Sequence, residues 1–203
     1  MSALVDTYLI VFTLLFVCFI PPLHTHTHEQ VSHGVGIEEL DKMVKGHGMP
    51  VGPITLADEV GIDVANHVRE FLCNADMGVR MAGSGGMNGL NPMHEMVDQG
   101  FLGKKTGKGF FTYDTVKGKQ KKTGVNPAVQ ARLKELVTED LKLSKQEVLD
   151  RLLSRFVNEA VLCLQDEIIA NPSDGDLGAV FGCGFLPYTG GPFRMLDAYG
   201  ADK

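Results

Sequence analysis

The stretch 182-GCGFLPYTGGPFRMLDAYGAD-202 contains the signals for the end of one helix, a bend and the start of another. Gly182 and Gly184 can end a helix, because glycine readily takes the left-handed conformation found just past a helix C-terminus. Gly191 followed by Pro192 can begin the next helix, because proline is favoured at the first helical position. The stretch therefore predicts two helices joined by a bend.

A second copy of this pattern lies earlier in the chain, at 46-GHGMPVGPITLADEVGID-63. Its first two glycines match Gly182 and Gly184. Once the bend is allowed three extra residues, five later positions also match, namely Gly52, Pro53, Asp58, Gly61 and Asp63 with Gly191, Pro192, Asp197, Gly200 and Asp202. Two copies of one helix–bend–helix unit predict two related helical domains.

The composition of the 203-residue chain is that of a globular protein, with 44% hydrophobic and 22% charged residues. A net charge of −6 argues against a general nucleic-acid-binding protein, which is usually basic. The four cysteines lie far apart without a C-x-x-C pair, so the sequence predicts neither a zinc site nor a disulfide framework. We therefore expect no nucleic-acid partner and no metal.

Residues 1–33 differ from the rest of the chain. An apolar run of about thirteen residues, Tyr8–Ile20, is shorter than the roughly twenty that a membrane helix needs, and His24-Thr-His-Thr-His28 follows it. One hypothesis is that the segment is translated intron or an unusual first exon, because a repeated CA dinucleotide encodes alternating His and Thr. The alternatives are a hydrophobic anchor and a metal site at the three histidines.

The spacing of apolar residues after residue 34 predicts a mainly helical protein. The strongest helix should start at the capping box Ser144-Lys-Gln-Glu147 and end near Asn171-Pro172, with an apolar stripe that reaches Ile168 and with Glu159 on its polar side. Ser173 and Asp176 are predicted to cap the next helix. We expect two tandem related helical domains, at 34–114 (incomplete at its N-terminus) and 144–203 (truncated at its C-terminus). A Lys-rich linker with a short helix, 115–143, joins them.

A Lys- and Gly-rich segment, 100-GFLGKKTGKGFFTYD-114, lies at the end of the first predicted domain. It does not satisfy the G-x-x-x-x-G-K-[S/T] pattern of a phosphate-cradling loop, so nucleotide hydrolysis is excluded. Residues 109–113 are predicted to be extended. Two interpretations of the lysines stay open. One is a solvated surface, and the other is an electrostatic contact with phosphates or an anionic membrane through Lys104, Lys105 and Lys108.

The sequence shows no catalytic constellation. It has no supported Ser/His/Asp or Cys/His set, and no G-x-G-x-x-G between a strand and a helix. Asp58 and Asp197, which occupy matching positions in the two copies, are predicted to be structural. We therefore predict no catalytic and no cofactor-binding residue in this chain.

Three segments together resemble the C-terminal region of the 3-hydroxyacyl-CoA dehydrogenase family. They are residues 37–72, 100–113 and 155–202, and the most specific motifs within them are 174-DGDLGAVFGCGF-185 and 190-GGPFRMLD-197. Within that family, the motifs look most like the α-subunit branch of the mitochondrial trifunctional β-oxidation multienzymes. The resemblance implies a mitochondrial location, although no transit peptide is recognisable.

The resemblance implies two helical domains that close over an acyl-CoA beside a separate Rossmann domain and supply subunit contacts. The implied partner is a thiolase-type β subunit or a second copy of the chain. In the family, NAD accepts hydride from the 3-hydroxyacyl-CoA while a histidine, oriented by a glutamate, takes the hydroxyl proton. No position of this sequence matches that histidine, that glutamate or the dinucleotide fingerprint.

Two functions are consistent with these observations. The first is a fragment of a fatty-acid β-oxidation dehydrogenase that is inactive by itself. The alternative is a non-enzymatic interaction or membrane-associated module that keeps the helical contact surface.

Overall fold

A computed structural model describes residues 34–74, 92–135, 137 and 142–200 of the chain, which contain eight α-helices and one two-stranded hairpin. The predicted mainly helical fold is confirmed. The elements are α1 (Ile37–Gly46), α2 (Pro53–Val60), α3 (Ile62–Asn74), α4 (Pro92–Asp98), β1 (Phe111–Val116), β2 (Lys119–Val125), α5 (Pro127–Glu135), α6 (Lys145–Gln165), α7 (Pro172–Cys183) and α8 (Pro192–Tyr199).

The predicted repeat is present as two helix pairs, α1–α2 and α7–α8. Proline is the first residue of both second helices, α2 and α8. Helix α2 stops at Gly61, and a separate helix, α3, follows. Helix α7 ends at Gly184, whose φ of 69° lies in the left-handed region that favours glycine.

The apolar side chains form two cores that share α6. The first core contains α1 to α5 and the N-terminal turns of α6, including Val148 and Leu152. The second contains the rest of α6, from Leu153 to Cys163, together with α7 and α8. Val129 and Leu133, which lie in the predicted linker, are buried in the first core. The predicted domain boundaries stay a prediction.

The capping box at the start of α6 is confirmed, because the Ser144 hydroxyl accepts the Glu147 N–H and the Glu147 carboxylate accepts the Ser144 N–H. Two expectations for this helix are wrong. It ends at Gln165 rather than near Asn171, since Glu167 adopts a left-handed φ of 58° that stops the helix. Glu159, expected on the polar side, is buried.

The predicted cap of α7 is also wrong. Asn171 is the N-cap residue, and its side-chain oxygen accepts the Asp174 N–H at 3.0 Å. Proline at the following position, Pro172, supplies a helical φ, so the helix starts two residues before the position that the Ser173–Asp176 spacing suggested.

Part of the predicted linker is a β-strand. Strand β1 pairs antiparallel with β2, so that Phe111 faces Val125 and Val116 faces Lys119. The extended segment predicted at 109–113 is confirmed from Phe111 onward, but β2 was not predicted, because its five lysine-rich N-terminal residues are all exposed. The Lys122 ammonium lies 3.5 Å from the centre of the Phe111 ring and covers that buried side chain.

The predictions for residues 1–33 fall outside the described residues. Among the helices that the structure describes, none is long and apolar enough to span a membrane.

Candidate functional site

The segment that carries the predicted lysines lies against the junction of α2 and α3. We call residues 103–109 the lysine loop. The Leu102 carbonyl just before it accepts the Ile62 N–H at 3.3 Å, and the Gly103 N–H donates to the Lys108 carbonyl at 2.8 Å, which closes the loop. Residues Lys104–Thr106 form one 3-10 turn.

Asp58 holds the end of this loop in place. Its side chain is fully buried in α2, and its two carboxylate oxygens accept the N–H groups of Phe110 and Phe111 at 2.8 and 2.9 Å. The Tyr113 hydroxyl donates to the same carboxylate at 2.9 Å. We call this arrangement the Asp58 clamp. The prediction that Asp58 is structural therefore agrees with its contacts, which all go to residues of the protein's own hairpin.

Burial is the main reason that Asp58 is a weaker acid than an ordinary aspartate. Removal of the carboxylate from water raises the pKa of Asp58 to about 6, even though hydrogen bonds from Phe111, Phe110 and Tyr113 favour the ionised form. The nearby Asp41 carboxylate raises the pKa further. Burial and the neighbouring Asp58 also raise the pKa of Tyr113, so its hydroxyl keeps its proton and acts as the donor.

We expect the folded protein to gain stability when the pH falls from 7 to 5. The pKa of Asp58 is higher in the folded protein, about 6, than its ordinary value of 3.8, so folding takes up a proton between these values. The stability due to this group is therefore greatest at low pH and is lost as the pH rises toward 6, by roughly 1 kcal/mol between pH 5 and pH 7.

Urea unfolding at both pH values, compared with Asp58→Asn, tests this expectation. The carboxylates of Asp63 and Glu95, whose pKa values are lowered by Lys105 and Arg132, titrate alike in both proteins and cancel in the difference. An identical pH dependence in the variant would contradict the assignment to Asp58.

The three predicted lysines differ in their ion-pair partners. The Lys104 ammonium lies 3.1 Å from the Glu59 carboxylate. The Lys105 ammonium bonds both oxygens of Asp63 at 2.5 and 2.6 Å, which lowers the pKa of that acid. Lys108 is exposed, and no acid within the described part of the chain forms an ion pair with it. The predicted phosphate or membrane contact stays a prediction, and Lys108 is the lysine of the three that is free to make it.

The backbone of the lysine loop does not form a phosphate cradle. The N–H groups of Gly103, Thr106, Gly107 and Gly109 all donate to carbonyl oxygens of residues 103–111. A phosphate-binding loop instead directs several free N–H groups at its anion. Because these N–H groups already donate within the protein, the glycines of the lysine loop do not indicate a nucleotide site.

The described residues do not fit NAD either. A dinucleotide site needs a glycine-rich turn between a strand and a helix. Gly46 is instead the last residue of α1, Gly48 lies just after it, and the only strands in the described residues form the hairpin. Within the same residues, no group of three or more His, Cys, Asp or Glu side chains is placed to hold a metal ion.

Each repeat contains one further buried carboxylate that joins its two helices, a role that the sequence did not predict. Asp41 in α1 is buried and accepts the Ile54 N–H at 2.9 Å in the first turn of α2. Asp176 in α7 is also buried and accepts the Phe193 N–H at 2.8 Å in the first turn of α8. The two acids occupy nearly equivalent positions in the sequence repeat, which differ by one residue: Asp41 lies five residues before Gly46, and Asp176 lies six before Gly182.

An open groove lies between α1, α5 and the start of α6, with a volume of about 820 Å³. Its lining combines apolar residues such as Leu133 and Leu149 with charged ones such as Lys42 and Lys134. No residue of the lysine loop lines it. The groove and the loop are therefore separate surfaces.

Comparison with known proteins identifies the domain. Residues 19–113 match the family model described as 3-hydroxyacyl-CoA dehydrogenase, C-terminal domain, a range that starts before the predicted boundary at residue 34. A relative from Vibrio parahaemolyticus, named fatty acid oxidation complex subunit alpha, is 43% identical over 164 residues, covering 81% of this chain and 21% of the relative. A Shewanella protein of the same name is 42% identical over 171 residues, covering 84% and 23%. The chain thus spans about a fifth of the length of these relatives.

A solved structure supports the fold. The dehydrogenase part of multifunctional enzyme 1 from C. elegans superposes with a TM-score of 0.58 at 24% identity, covering 83% of this chain and 36% of that chain. At this level of identity the likeness concerns the fold alone.

The relatives overturn one expectation. The predicted mitochondrial location is wrong, because the matching fatty acid oxidation subunits come from bacteria such as Vibrio, Idiomarina and Shewanella, which have no mitochondria.

The confirmed helical repeat, the family model and the shared identity agree with the resemblance in the sequence motifs. Residues 19–113 therefore match the C-terminal domain of 3-hydroxyacyl-CoA dehydrogenases, and most of the chain is similar to a part of the fatty acid oxidation complex α subunits.

Proposed function

We propose that the chain forms the helical part of an NAD-dependent 3-hydroxyacyl-CoA dehydrogenase, where it encloses the acyl-CoA and supplies subunit contacts but not the chemical step. The observation that supports this proposal most directly is the 43% identity, over 164 residues, to a fatty acid oxidation complex subunit. The geometry agrees with a supporting role. The buried acids Asp41, Asp58 and Asp176 all bond backbone groups of the fold, so none of them is free to act as a base.

Lys108 is the residue that we propose to contact substrate. The Asp58 clamp fixes the loop that carries it, and the neighbouring Lys104 and Lys105 are neutralised by Glu59 and Asp63. An exposed ammonium on a fixed loop can attract the phosphates of a CoA thioester with little loss of backbone freedom.

The partner that we propose is a thiolase-type β subunit or a second copy of this chain. The relatives are named as subunits of a complex, which supports a subunit-contact role. The alternative of a non-enzymatic module finds no support in these comparisons.

Complementation tests the proposal. The purified chain alone should not reduce acetoacetyl-CoA with NADH. Mixing it with the Vibrio parahaemolyticus α subunit, made without the segment that aligns with this chain, should restore reduction. Turnover by the chain alone would contradict the supporting role, and no gain on mixing would contradict the proposal that the chain completes a dehydrogenase.

The role of Lys108 is tested in the restored enzyme. Lys108→Ala should raise the KM for acetoacetyl-CoA about fivefold with kcat unchanged, because a uniform contact to a remote phosphate affects binding rather than the chemical step. Lys117→Ala, at another exposed lysine in the hairpin turn, is the matched control and should leave both constants unchanged. Equal KM values for the two variants would exclude a contact through Lys108.

A further inference from the structure

We infer that the tip of the β1–β2 hairpin docks on a membrane surface that contains anionic phospholipids. The name hairpin tip is used for Val116, Lys117, Lys119 and Lys121. The inference rests on the charge and the geometry of these residues. It goes beyond the proposed dehydrogenase role and does not depend on it.

The root of the hairpin is bound to the helices, which decides which of its two faces is free. The Tyr113 hydroxyl donates to the Asp58 carboxylate. The Lys122 ammonium donates to the Thr55 hydroxyl at 2.9 Å and lies 3.7 Å from the Asp41 carboxylate. Tyr113 and Lys122 are opposite each other in the two strands. Their side chains therefore mark the face of the hairpin that lies on α1 and α2.

The opposite face of the hairpin carries the residues of the tip. Side chains directly opposite on antiparallel strands share one face, and successive side chains along a strand alternate between the two faces. The register is regular from Tyr113 onward, where Asp114 pairs with Lys121 and Val116 pairs with Lys119. These two pairs therefore lie on the face that points away from the helices.

A tight turn keeps the hairpin tip preorganised. Lys117 and Gly118 have φ angles of 52° and 74°, and positive values at both central residues are what a type I′ turn requires. The turn places Val116 and Lys119 opposite each other. The lysines and the valine are thus held together before any partner binds, so little backbone freedom is lost on binding.

The charges of the hairpin tip have no partners inside the protein. Lys117, Lys119 and Lys121 are exposed, and none of them forms an ion pair with an acid in the part of the chain that the structure describes. Asp114 is the only acid in residues 111–125. The whole chain instead has a net charge of −6. An anionic surface therefore attracts the tip and repels the chain as a whole, which orients the tip toward that surface.

An exposed apolar side chain favours a lipid surface over other anionic partners. Val116 is 51% exposed beside the lysines of the turn. Such a side chain suits the boundary between headgroups and acyl chains, where the valine is buried while the ammonium groups stay among the phosphates. The tip has no aromatic ring and no arginine, which nucleic-acid-binding surfaces use for stacking and for phosphate contacts.

Co-sedimentation of the full chain with lipid vesicles tests this inference. Vesicles of phosphatidylcholine with phosphatidylserine should bind the chain, and each lysine at the surface should strengthen binding about fivefold. The triple variant Lys117→Gln, Lys119→Gln and Lys121→Gln should therefore bind about a hundredfold more weakly. Vesicles of phosphatidylcholine alone measure binding through apolar segments elsewhere in the chain, which should be equal for the two proteins.

A second triple variant controls for net charge. It replaces three exposed lysines on α1, α5 and α6 by glutamine, namely Lys45, Lys134 and Lys145. Its net charge equals that of the tip variant, but its affinity for the mixed vesicles should stay close to that of the unaltered chain, because charges away from the surface are screened. Equal weakening by both triple variants would overturn the inference, as would equal binding to vesicles with and without phosphatidylserine.

Val116→Ser separates a membrane surface from a soluble polyanion. The substitution should weaken binding to the mixed vesicles about fivefold, because it removes apolar area from the lipid boundary. Binding to soluble inorganic polyphosphate should not depend on this residue. If vesicle binding is unaffected by Val116→Ser and polyphosphate binds as tightly as the vesicles, the tip is a general polyanion site and the inference is wrong. All these residues are exposed, so unfolding of every variant should match the unaltered chain.

Discussion

Replacement of Asp58 by alanine is expected to lower the free energy of unfolding by about 4 kcal/mol. The variant leaves the Phe110 and Phe111 N–H groups and the Tyr113 hydroxyl without their acceptor, and a buried donor that loses its partner costs about 1–3 kcal/mol. Urea unfolding followed by circular dichroism measures this loss.

Asp197→Ala is the matched control for Asp58→Ala, since it removes the equivalent carboxylate from an exposed position in the other repeat. Its effect should stay within about 0.5 kcal/mol. Tyr113→Phe should cost about 1 kcal/mol, because it removes one hydroxyl and leaves the carboxylate with two donors. Equal effects of the two alanine variants would show that the Asp58 clamp does not stabilise the fold.

Replacement of Gly109 by alanine should lower the free energy of unfolding by about 3 kcal/mol. The added Cβ would meet the Asp58 carboxylate and lie 2.6 Å from the Cα of Gly103, so either the clamp or the backbone has to move. Overpacking of a tightly packed site costs about 1–3 kcal/mol, and here the displaced carboxylate also loses hydrogen bonds. Thermal and urea unfolding report the change.

Gly124→Ala in the same hairpin is the control. No atom lies within 4 Å of the Cβ that would be added at Gly124, so the substitution should change stability by less than about 0.5 kcal/mol. Comparable losses at both positions would point to a general requirement for glycine in the hairpin rather than to close packing against Asp58.

Local signals in the sequence predicted the helix boundaries best where one residue type determines the backbone. The start of α8 at Pro192 and the capping box at Ser144 depend on contacts within a few residues, and both are present. The end of α6 at Gln165 could not be read in this way, because the apolar pattern continues to Ile168 after the helix has stopped.

Long-range contacts were not predictable from the pattern. Strand β2 is mostly exposed and rich in lysine, so its sequence is typical of a linker, and its pairing with β1 decides its structure. Asp41 bonds backbone groups thirteen and fourteen residues away, and nothing in the local sequence marks such a partner. The position of Asp58 in the repeat indicated a structural role, but only the folded structure shows that its partners lie more than fifty residues away.

The residues of α6 are divided between two cores, with Val148 and Leu152 in one and Phe156 and Ala160 in the other. Helix α6 therefore couples the two helix pairs, because a shift of α6 along its axis would disturb the packing at both of its ends. Evolutionary change is constrained in the same way. An insertion within α6 would rotate the side chains of one half by about 100° per residue relative to the other half, so the two repeats cannot alter their spacing independently.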